Sequence, residues 1–293
     1  MESLKSLLNR NDLIILDGAM GTELSRRGAQ SIAKANLDNP KAVAEIHEMY
    51  LEAGSNAIIT NTLTLNRINI ECHHMGIDVG AVNRAGATVA SAVASGRGYV
   101  LGNLSSTGQM LEPYGDYSEA DFIGTFKEQA TYLQDGHVDG FIIETVFDLR
   151  EAICALKGCQ AVSSLPVIVC ITFNSEQNGG RTIMGNSAKD CALILAENGA
   201  DATGANCGGI DPIQLAEIVA IYAATTKLPI VAEPNAGKPM LVNGATIFNM
   251  DPDAFAAGMI KCKEAGARIL GGCCGTTPAH IRALKQAVGV GAT

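Results

Sequence analysis

Tryptophan is absent from the 293-residue chain, and the other aromatic residues are few, with seven Phe and six Tyr. Basic residues are also scarce, because 21 Lys and Arg stand against 30 Asp and Glu and leave a net charge of −9. Nucleic-acid binding requires clustered positive charge that neutralises phosphates, so nucleic acid is not an expected partner. No apolar run approaches the roughly 20 residues of a membrane-spanning helix, so a membrane segment is not expected either.

The N-terminus and the cysteines both bear on the compartment. The first ten residues are too interrupted by charge for a secretory signal peptide, and their pattern predicts a short amphipathic helix. The nine cysteines, an odd number, are scattered through apolar segments. Buried thiols or metal ligands in a reducing compartment fit this distribution better than a disulfide framework. We therefore expect a cytoplasmic protein.

Short apolar runs rich in β-branched residues recur eight times, and most are continuously apolar, as in strands buried on both faces. The predicted strands are 13–17, 56–62, 99–105, 140–146, 166–173, 202–207, 229–235 and 267–274. The predicted helices between and after them are 40–53, 79–95, 119–134, 149–162, 188–198, 212–225, 252–265 and 278–288. This alternation predicts an α/β fold, a single (β/α)8 TIM barrel domain over residues 1–293. The alternative is a doubly wound open sheet, but the turn at 17–22 lacks the full phosphate-binding fingerprint.

Polar residues gather where the predicted strands end. In a (β/α)8 barrel these carboxyl ends meet at one mouth, where the active site lies. The residues at the strand ends are Asp17, Thr60, Asn61, Thr62, Glu144, Asn206, Cys207, Glu233, Asn235, Cys273 and Cys274. No lysine or histidine is among them, which disfavours a Schiff-base aldolase and leaves no histidine for a metal.

Cys273 and Cys274 lie in the run GGCCGT, and Cys207 lies in a similar setting, GANCG. Neighbouring residues of a strand point to opposite faces, so the adjacent pair reaches one metal only if the backbone bends, as the glycines permit. The alternatives are a vicinal disulfide or small apolar residues placed there by coincidence. We favour a zinc site with three thiolates, which leaves a fourth position open for chemistry.

Asp17 and Glu144 share the predicted mouth with these thiolates. Either could instead cap the helix that follows its strand. The turn at 18–21 exposes backbone N–H groups that suit a carboxylate. Acids facing such a turn favour an amino-acid ligand, with its ammonium on the acids and its carboxylate on the amides.

Six motifs, in chain order, resemble the homocysteine S-methyltransferase family. They are DGAMGT at 17–22, TNT at 60–62, ETVFD at 144–148, GANCG at 204–208, PNAG at 234–237 and GGCCGT at 271–276. PNAG and GRTIMG at 180–185 are most similar to the homocysteine-binding module of cobalamin-dependent methionine synthase. The chain departs from the family pattern at Ile59, where Glu often precedes Thr-Asn-Thr, at Glu233 before PNAG, and in the turn at 103–109.

The resemblance implies a zinc-dependent methyltransferase that converts homocysteine to methionine. It implies zinc held by Cys207, Cys273 and Cys274, with Asn235 as the fourth ligand until substrate displaces it. The substrate-binding residues that follow from it are Asp17, Ala19, Met20, Gly21, Asn61, Glu144 and Asn206. No catalytic side chain beyond the zinc site is required, because the metal-activated substrate sulfur attacks the methyl group in line.

The methyl donor is the least constrained part of this hypothesis. A small cationic donor such as S-methylmethionine needs an aromatic cage, which the sparse aromatics disfavour. Further modules follow the barrel in multidomain relatives, whereas this chain ends soon after its eighth predicted helix. We therefore expect a methylated corrinoid on a separate protein, with S-methylmethionine as the alternative. A zinc-bearing binding or regulatory barrel without turnover, and a metal-free lyase, are the competing functions.

Overall fold

The computed structural model describes residues 1–10, 12–242 and 245–289. Within these residues a single eight-stranded parallel sheet has the order β1-β10-β7-β6-β5-β4-β3-β2. Its strands are β1 (Ile14–Ile15), β2 (Ala57–Ile59), β3 (Tyr99–Leu104), β4 (Gly140–Val146), β5 (Val167–Ile171), β6 (Ala202–Asn206), β7 (Ile230–Glu233) and β10 (Ala267–Leu270). A helix layer surrounds the sheet, which confirms the predicted (β/α)8 barrel.

The barrel closes between its first two strands without a strand ladder. Asn56, just before β2, accepts a hydrogen bond from the N–H of Ile15 through Oδ1 at 2.8 Å, and its own N–H donates to the Ile15 carbonyl at 2.6 Å. Near the other end of the seam, Oδ2 of Asp17 accepts from the N–H of Ile59 at 3.0 Å. The side chains of Asn56 and Asp17, together with one main-chain hydrogen bond, therefore complete the ring where β1 has only two strand residues.

Twelve α-helices occur in the described residues. They are α1 (Leu4–Asn9), α2 (Met20–Arg26), α3 (Ala35–Asp38), α4 (Pro40–Ala53), α5 (Arg67–Cys72), α6 (Val79–Ala94), α7 (Glu119–Asp135), α8 (Leu149–Gln160), α9 (Ala188–Glu197), α10 (Pro212–Thr225), α11 (Pro252–Glu264) and α12 (Pro278–Ala287). The eight predicted helices correspond to α4 and α6 to α12. For α4, Asn39 caps the first turn and Gly54 ends the helix at φ 107°.

The inside of the barrel is packed with apolar side chains from alternate positions of the strands. Leu4 and Leu8 of α1 join this interior cluster, and Leu4 packs against Gly140 at the start of β4. The predicted N-terminal amphipathic helix is thereby confirmed, and it covers the barrel at the amino ends of the strands. Because α1 covers the amino ends, a cavity along the barrel axis opens at the carboxyl ends of the strands.

Several elements were not anticipated from the sequence. The short helices α2, α3 and α5 lie in the segments that follow β1 and β2, and a 3-10 turn (Gln177–Gly179) follows β5. An antiparallel hairpin, β8 (Met240–Val242) and β9 (Ala245–Ile247), follows β7. In the described part of the chain, no helix combines the length and apolar character needed to cross a membrane.

Candidate metal centre and active site

Three cysteine sulfurs converge at the carboxyl end of the barrel. The Sγ atoms of Cys207, Cys273 and Cys274 lie within 4.8 Å of one another. Cys207 directly follows β6 and has a left-handed backbone with φ 57°, which is unusual for a side-chain-bearing residue. The three residues that the sequence singled out as ligands are therefore brought together.

The two adjacent cysteines lie in a turn beyond β10 and not in the strand itself. The predicted strand 267–274 was too long, because β10 ends at Leu270. At Gly272 a Cβ would lie 2.6 Å from Cγ2 of Thr276, and Gly275 has φ 81°, so the turn needs glycine at both places. Within this turn the Thr276 hydroxyl donates to the Cys273 carbonyl at 2.7 Å. The backbone of this turn therefore has the bend that allows both Cys273 and Cys274 to face one metal ion.

The loop after β7 is fastened to this turn. The N–H of Cys273 donates to the Pro234 carbonyl at 2.8 Å, and the N–H of Ala236 donates to the Cys274 carbonyl at 2.9 Å. Asn235 lies between these two contacts and donates through Nδ2 to the Gly208 carbonyl at 2.9 Å. Its Oδ1 atom is buried and has no hydrogen-bond partner among the described residues.

The electrostatics of the three thiols are coupled. Hydrogen bonds from the thiols of Cys273 and Cys274 lower the pKa of Cys207 to about 3. The hydrogen bond with Cys207 in turn raises the pKa of Cys274 to about 12. Three sulfur atoms of this kind fit a zinc ion, and the Asn235 side chain, which hydrogen-bonds to Cys207, offers an amide oxygen that has no partner among the described residues.

A cavity of about 190 Å³ adjoins the three sulfurs. The predicted site residues that line it are Ala19, Met20, Gly21, Asn61, Glu144, Cys207, Cys273 and Cys274. Asp17 and Asn206 are buried behind its wall, with exposed fractions of 2% and 1%. Among the other lining residues are Asn103 and Glu233, neither of which the sequence analysis named as a substrate-binding residue.

Glu144 is held by two side-chain amides. Asn103 donates through Nδ2 to Oε1 at 2.7 Å, and Asn206 donates through Nδ2 to Oε2 at 2.9 Å. Asn206 is itself fixed, because its Oδ1 accepts from the N–H of Thr145 at 2.9 Å. Burial raises the pKa of Glu144 to about 7, and the bond from Asn103 opposes that rise. Asn206 thus orients a cavity-lining carboxylate from outside the cavity.

Two further carboxyl groups lie close to Glu144. Burial raises the pKa of Asp17 well above its usual range, and the charge of Glu144 adds to the effect. The pKa of Glu233 is likewise raised by burial and then by the charges of Glu144 and Asp17. The thiol of Cys170 contacts Oε2 of Glu233 at 3.8 Å. The sequence signal for Glu233 was its position at a strand end directly before PNAG, and for Asn103 it was a polar residue in an apolar strand.

The start of α2 forms another part of the cavity wall. Its N-cap residue, Ala19, provides no side-chain acceptor for the first turn. The Ala19 N–H is engaged, because it donates to Oγ1 of Thr276 at 3.0 Å, and the Ala19 carbonyl accepts from the Tyr50 hydroxyl at 3.0 Å. Met20 and Gly21, the first two helical residues, line the cavity. Their N–H groups are the ones that the predicted carboxylate site can use.

Asn61 lines the cavity from the end of β2. Its Nδ2 donates to the Ile32 carbonyl at 3.0 Å and to Oδ1 of Asn36 at 3.1 Å. The side chain therefore fixes the segment after β1 against the end of β2.

Comparison with known proteins agrees with this architecture. A family model for homocysteine S-methyltransferase matches residues 14–288. Methionine synthase of Mycobacterium tuberculosis is 29% identical over 299 residues, which cover 94% of this chain and 24% of that protein. The chain thus spans about a quarter of the length of the curated methionine synthases it matches.

The solved structures include similar barrels. The metallated form of the homocysteine methyltransferase MmuM from Escherichia coli aligns with a TM-score of 0.78 at 25% identity, over 97% of this chain and 99% of that one. Its apo form aligns over the same shares with a TM-score of 0.75 at 26% identity. From the match over nearly its whole length, the chain belongs to the homocysteine S-methyltransferase family.

Proposed function

We propose that this chain is a zinc-dependent methyltransferase that moves a methyl group onto the sulfur of homocysteine to give methionine. Residues 1–293 act in this proposal as a single homocysteine-binding domain. The observation that carries the proposal is the junction of three convergent cysteine sulfurs with a cavity that also contains the buried carboxylate of Glu144.

Cys207, Cys273 and Cys274 would hold the zinc, and Oδ1 of Asn235 is the oxygen available as a fourth ligand before substrate binds. When bound, zinc would keep the substrate sulfur deprotonated, and the thiolate is the nucleophilic form of a thiol. The reaction forms a bond from that sulfur to the methyl carbon and breaks the bond from the methyl carbon to the donor. The electron pair of the broken bond stays with the donor. The thiol proton passes to solvent when the substrate binds, so the transfer itself needs no side-chain base.

The polar groups of the cavity position the amino-acid end of the substrate. Glu144 accepts the ammonium group, and its own orientation is fixed by Asn206 from behind the wall. Asp17 lies behind the same wall, where burial and the charge of Glu144 raise its pKa and favour its protonated form. The N–H groups of Met20 and Gly21 at the start of α2 bind the carboxylate. Holding both ends of homocysteine in this way directs its sulfur toward the methyl group. This positioning lowers the entropic part of the activation barrier for methyl transfer.

We further propose a methylated corrinoid, carried by a separate protein, as the donor. Among the described residues that line the cavity, none is aromatic, so no cage for a small methylsulfonium donor is formed there. Ile32 and Leu63 line the cavity and remain partly exposed, at 39% and 38%. An apolar rim of this kind suits a donor that brings its own large macrocycle.

The test is a donor comparison with zinc-loaded protein. Homocysteine is supplied with methylcobalamin or with S-methylmethionine, and methionine is quantified by mass spectrometry. We expect methionine from methylcobalamin and much less from S-methylmethionine, with Cys274→Ala as the inactive control. Faster turnover with S-methylmethionine contradicts the corrinoid donor, and absence of methionine with both donors contradicts the methyltransferase function.

A further inference from the structure

Glu233, at the end of β7, is a buried carboxyl group with no cationic partner among the described residues. It is 1% exposed and lines the cavity. Among the described residues its side chain has one hydrogen-bonding contact, the Cys170 thiol at 3.8 Å from Oε2. It also lies outside the metal-ligand group, which within the described chain contains only Cys207, Cys273 and Cys274.

The wall around Glu233 is rich in acceptors and poor in positive charge. Glu144 lines the same cavity, and none of the described lining residues is Lys, Arg or His. Burying carboxylates is unfavourable unless a positive group or hydrogen-bond donors compensate them. A second observation points the same way, because Asn103 lines this cavity and its buried Oδ1 has no partner in the described structure. A small cation that carries N–H donors is the kind of ligand that suits this set of acceptors.

Asp17 is less suited to meet that cation directly. It does not line the cavity, and its Oδ2 is engaged by the N–H of Ile59. Glu233 lines the cavity, and no backbone N–H of the described residues donates to its carboxyl group.

We propose that Glu233 binds the ammonium group of the substrate together with Glu144, and so restricts the site to thiols that are amino acids. This inference rests on the proposed function, since it takes homocysteine as the ligand. The substrate ammonium supplies the positive charge that the two carboxylates lack, and its three N–H donors can be shared between them. Glu233 is thereby a specificity residue at the opposite end of the substrate from the sulfur.

The experiment compares two ligands that differ only at the ammonium group. L-Homocysteine and 4-mercaptobutanoate share the thiol and the carboxylate, but the second lacks the amino group. Their dissociation constants for the zinc-loaded protein are measured by calorimetry for the wild type and for Glu233→Gln, which preserves shape and removes charge. We expect the constant for homocysteine to rise about 10- to 100-fold and that for 4-mercaptobutanoate to stay the same.

A matched control replaces another buried glutamate. Glu151 is 4% exposed, bonds to Thr107 and does not line the cavity, so Glu151→Gln should leave the ratio of the two constants unchanged. Zinc content should be equal in wild type and Glu233→Gln, which separates a substrate role from a metal role. If Glu233→Gln does not fold by circular dichroism, Glu233→Met provides the same comparison.

The outcomes separate the two proposals. Equal weakening of both ligands by Glu233→Gln, or no weakening of either, overturns the role of Glu233 while leaving homocysteine as the substrate. Failure of the wild type to bind homocysteine overturns the proposed function and this inference with it.

Discussion

Oδ2 of Asp17 accepts a hydrogen bond from the N–H of Ile59 at 3.0 Å, across the seam between β1 and β2. Asp17→Ala leaves that buried N–H without its acceptor. We expect it to lower the free energy of unfolding by about 1–3 kcal/mol. Asp17→Asn keeps an oxygen in the same place and should be closer to wild type. Urea unfolding measures both, and an alanine variant as stable as the wild type would contradict a role at the seam.

The cysteine triad predicts selective loss of metal. Cys207→Ala and Cys274→Ala are each expected to reduce zinc from about one per chain to near zero, because three ligands are needed for tight binding. The fold should persist, because the packed barrel interior lies apart from the triad. Atomic emission measures zinc and far-ultraviolet circular dichroism follows the fold. Cys72→Ser, at an exposed cysteine, is the control and should retain zinc.

The position of Asn235 predicts that its replacement changes zinc affinity differently with and without bound homocysteine. Its unpartnered Oδ1 would bind zinc only while the substrate is absent. Asn235→Ala should therefore weaken zinc binding about tenfold or more without homocysteine, and much less with saturating homocysteine. Competition with a fluorescent chelator measures both affinities. An equal effect in the two conditions would show that Asn235 acts through the loop and not as a ligand.

His47 on α4 predicts a dependence of stability on pH. It is fully buried, both ring nitrogens lack a partner among the described residues, and burial lowers its pKa to about 4. The unfolded chain takes up this proton near pH 6.5, so between pH 6.5 and 4 the unfolded state binds more protons than the folded one. Stability therefore falls as pH drops through this window, by about 2 kcal/mol between pH 7 and pH 5.

The measurement is urea unfolding at both pH values. His47→Leu has nothing to protonate and should lose that part of the pH dependence. His74→Gln, at an exposed histidine, should retain it. If His47→Leu and wild type lose the same stability on acidification, burial of His47 is not the cause.

The eight main helices could be predicted closely because their ends are set by local residues. Asn39 and Gly54 mark the two ends of α4, and the Asp211-Pro212 pair starts α10 with a capping box. Each of these signals lies within one turn of the helix end that it sets. Strand ends were predicted less well. The chain leaves β10 after Leu270 because the N–H of Cys273 bonds to the Pro234 carbonyl, and such a contact across the fold is not visible in a local pattern.

The residues of the site also divide into those that a local motif reveals and those that depend on contacts across the fold. The three cysteines proposed as metal ligands were identified from a motif, and the structure brings their sulfurs together. Asp17 and Glu233 both stand at strand ends, but only the structure distinguishes them. When the barrel closes, Asp17 lies in the seam between β1 and β2, whereas Glu233 lines the cavity. Asn103 was missed because its contact with Glu144 joins residues 41 positions apart.

The two backbone hydrogen bonds that join the loop after β7 to the turn after β10 have a consequence for metal exchange. They fix Cys273 and Cys274 relative to Asn235 through main-chain atoms, independently of any ion. As the proposed zinc site it would be a preformed chelate, unlike a zinc finger, whose ligands assemble only as the metal drives folding. An ion would then leave and be replaced while its ligands stay in place. Supply and thiolate softness, and not the folding of the chain, would govern which metal occupies the site.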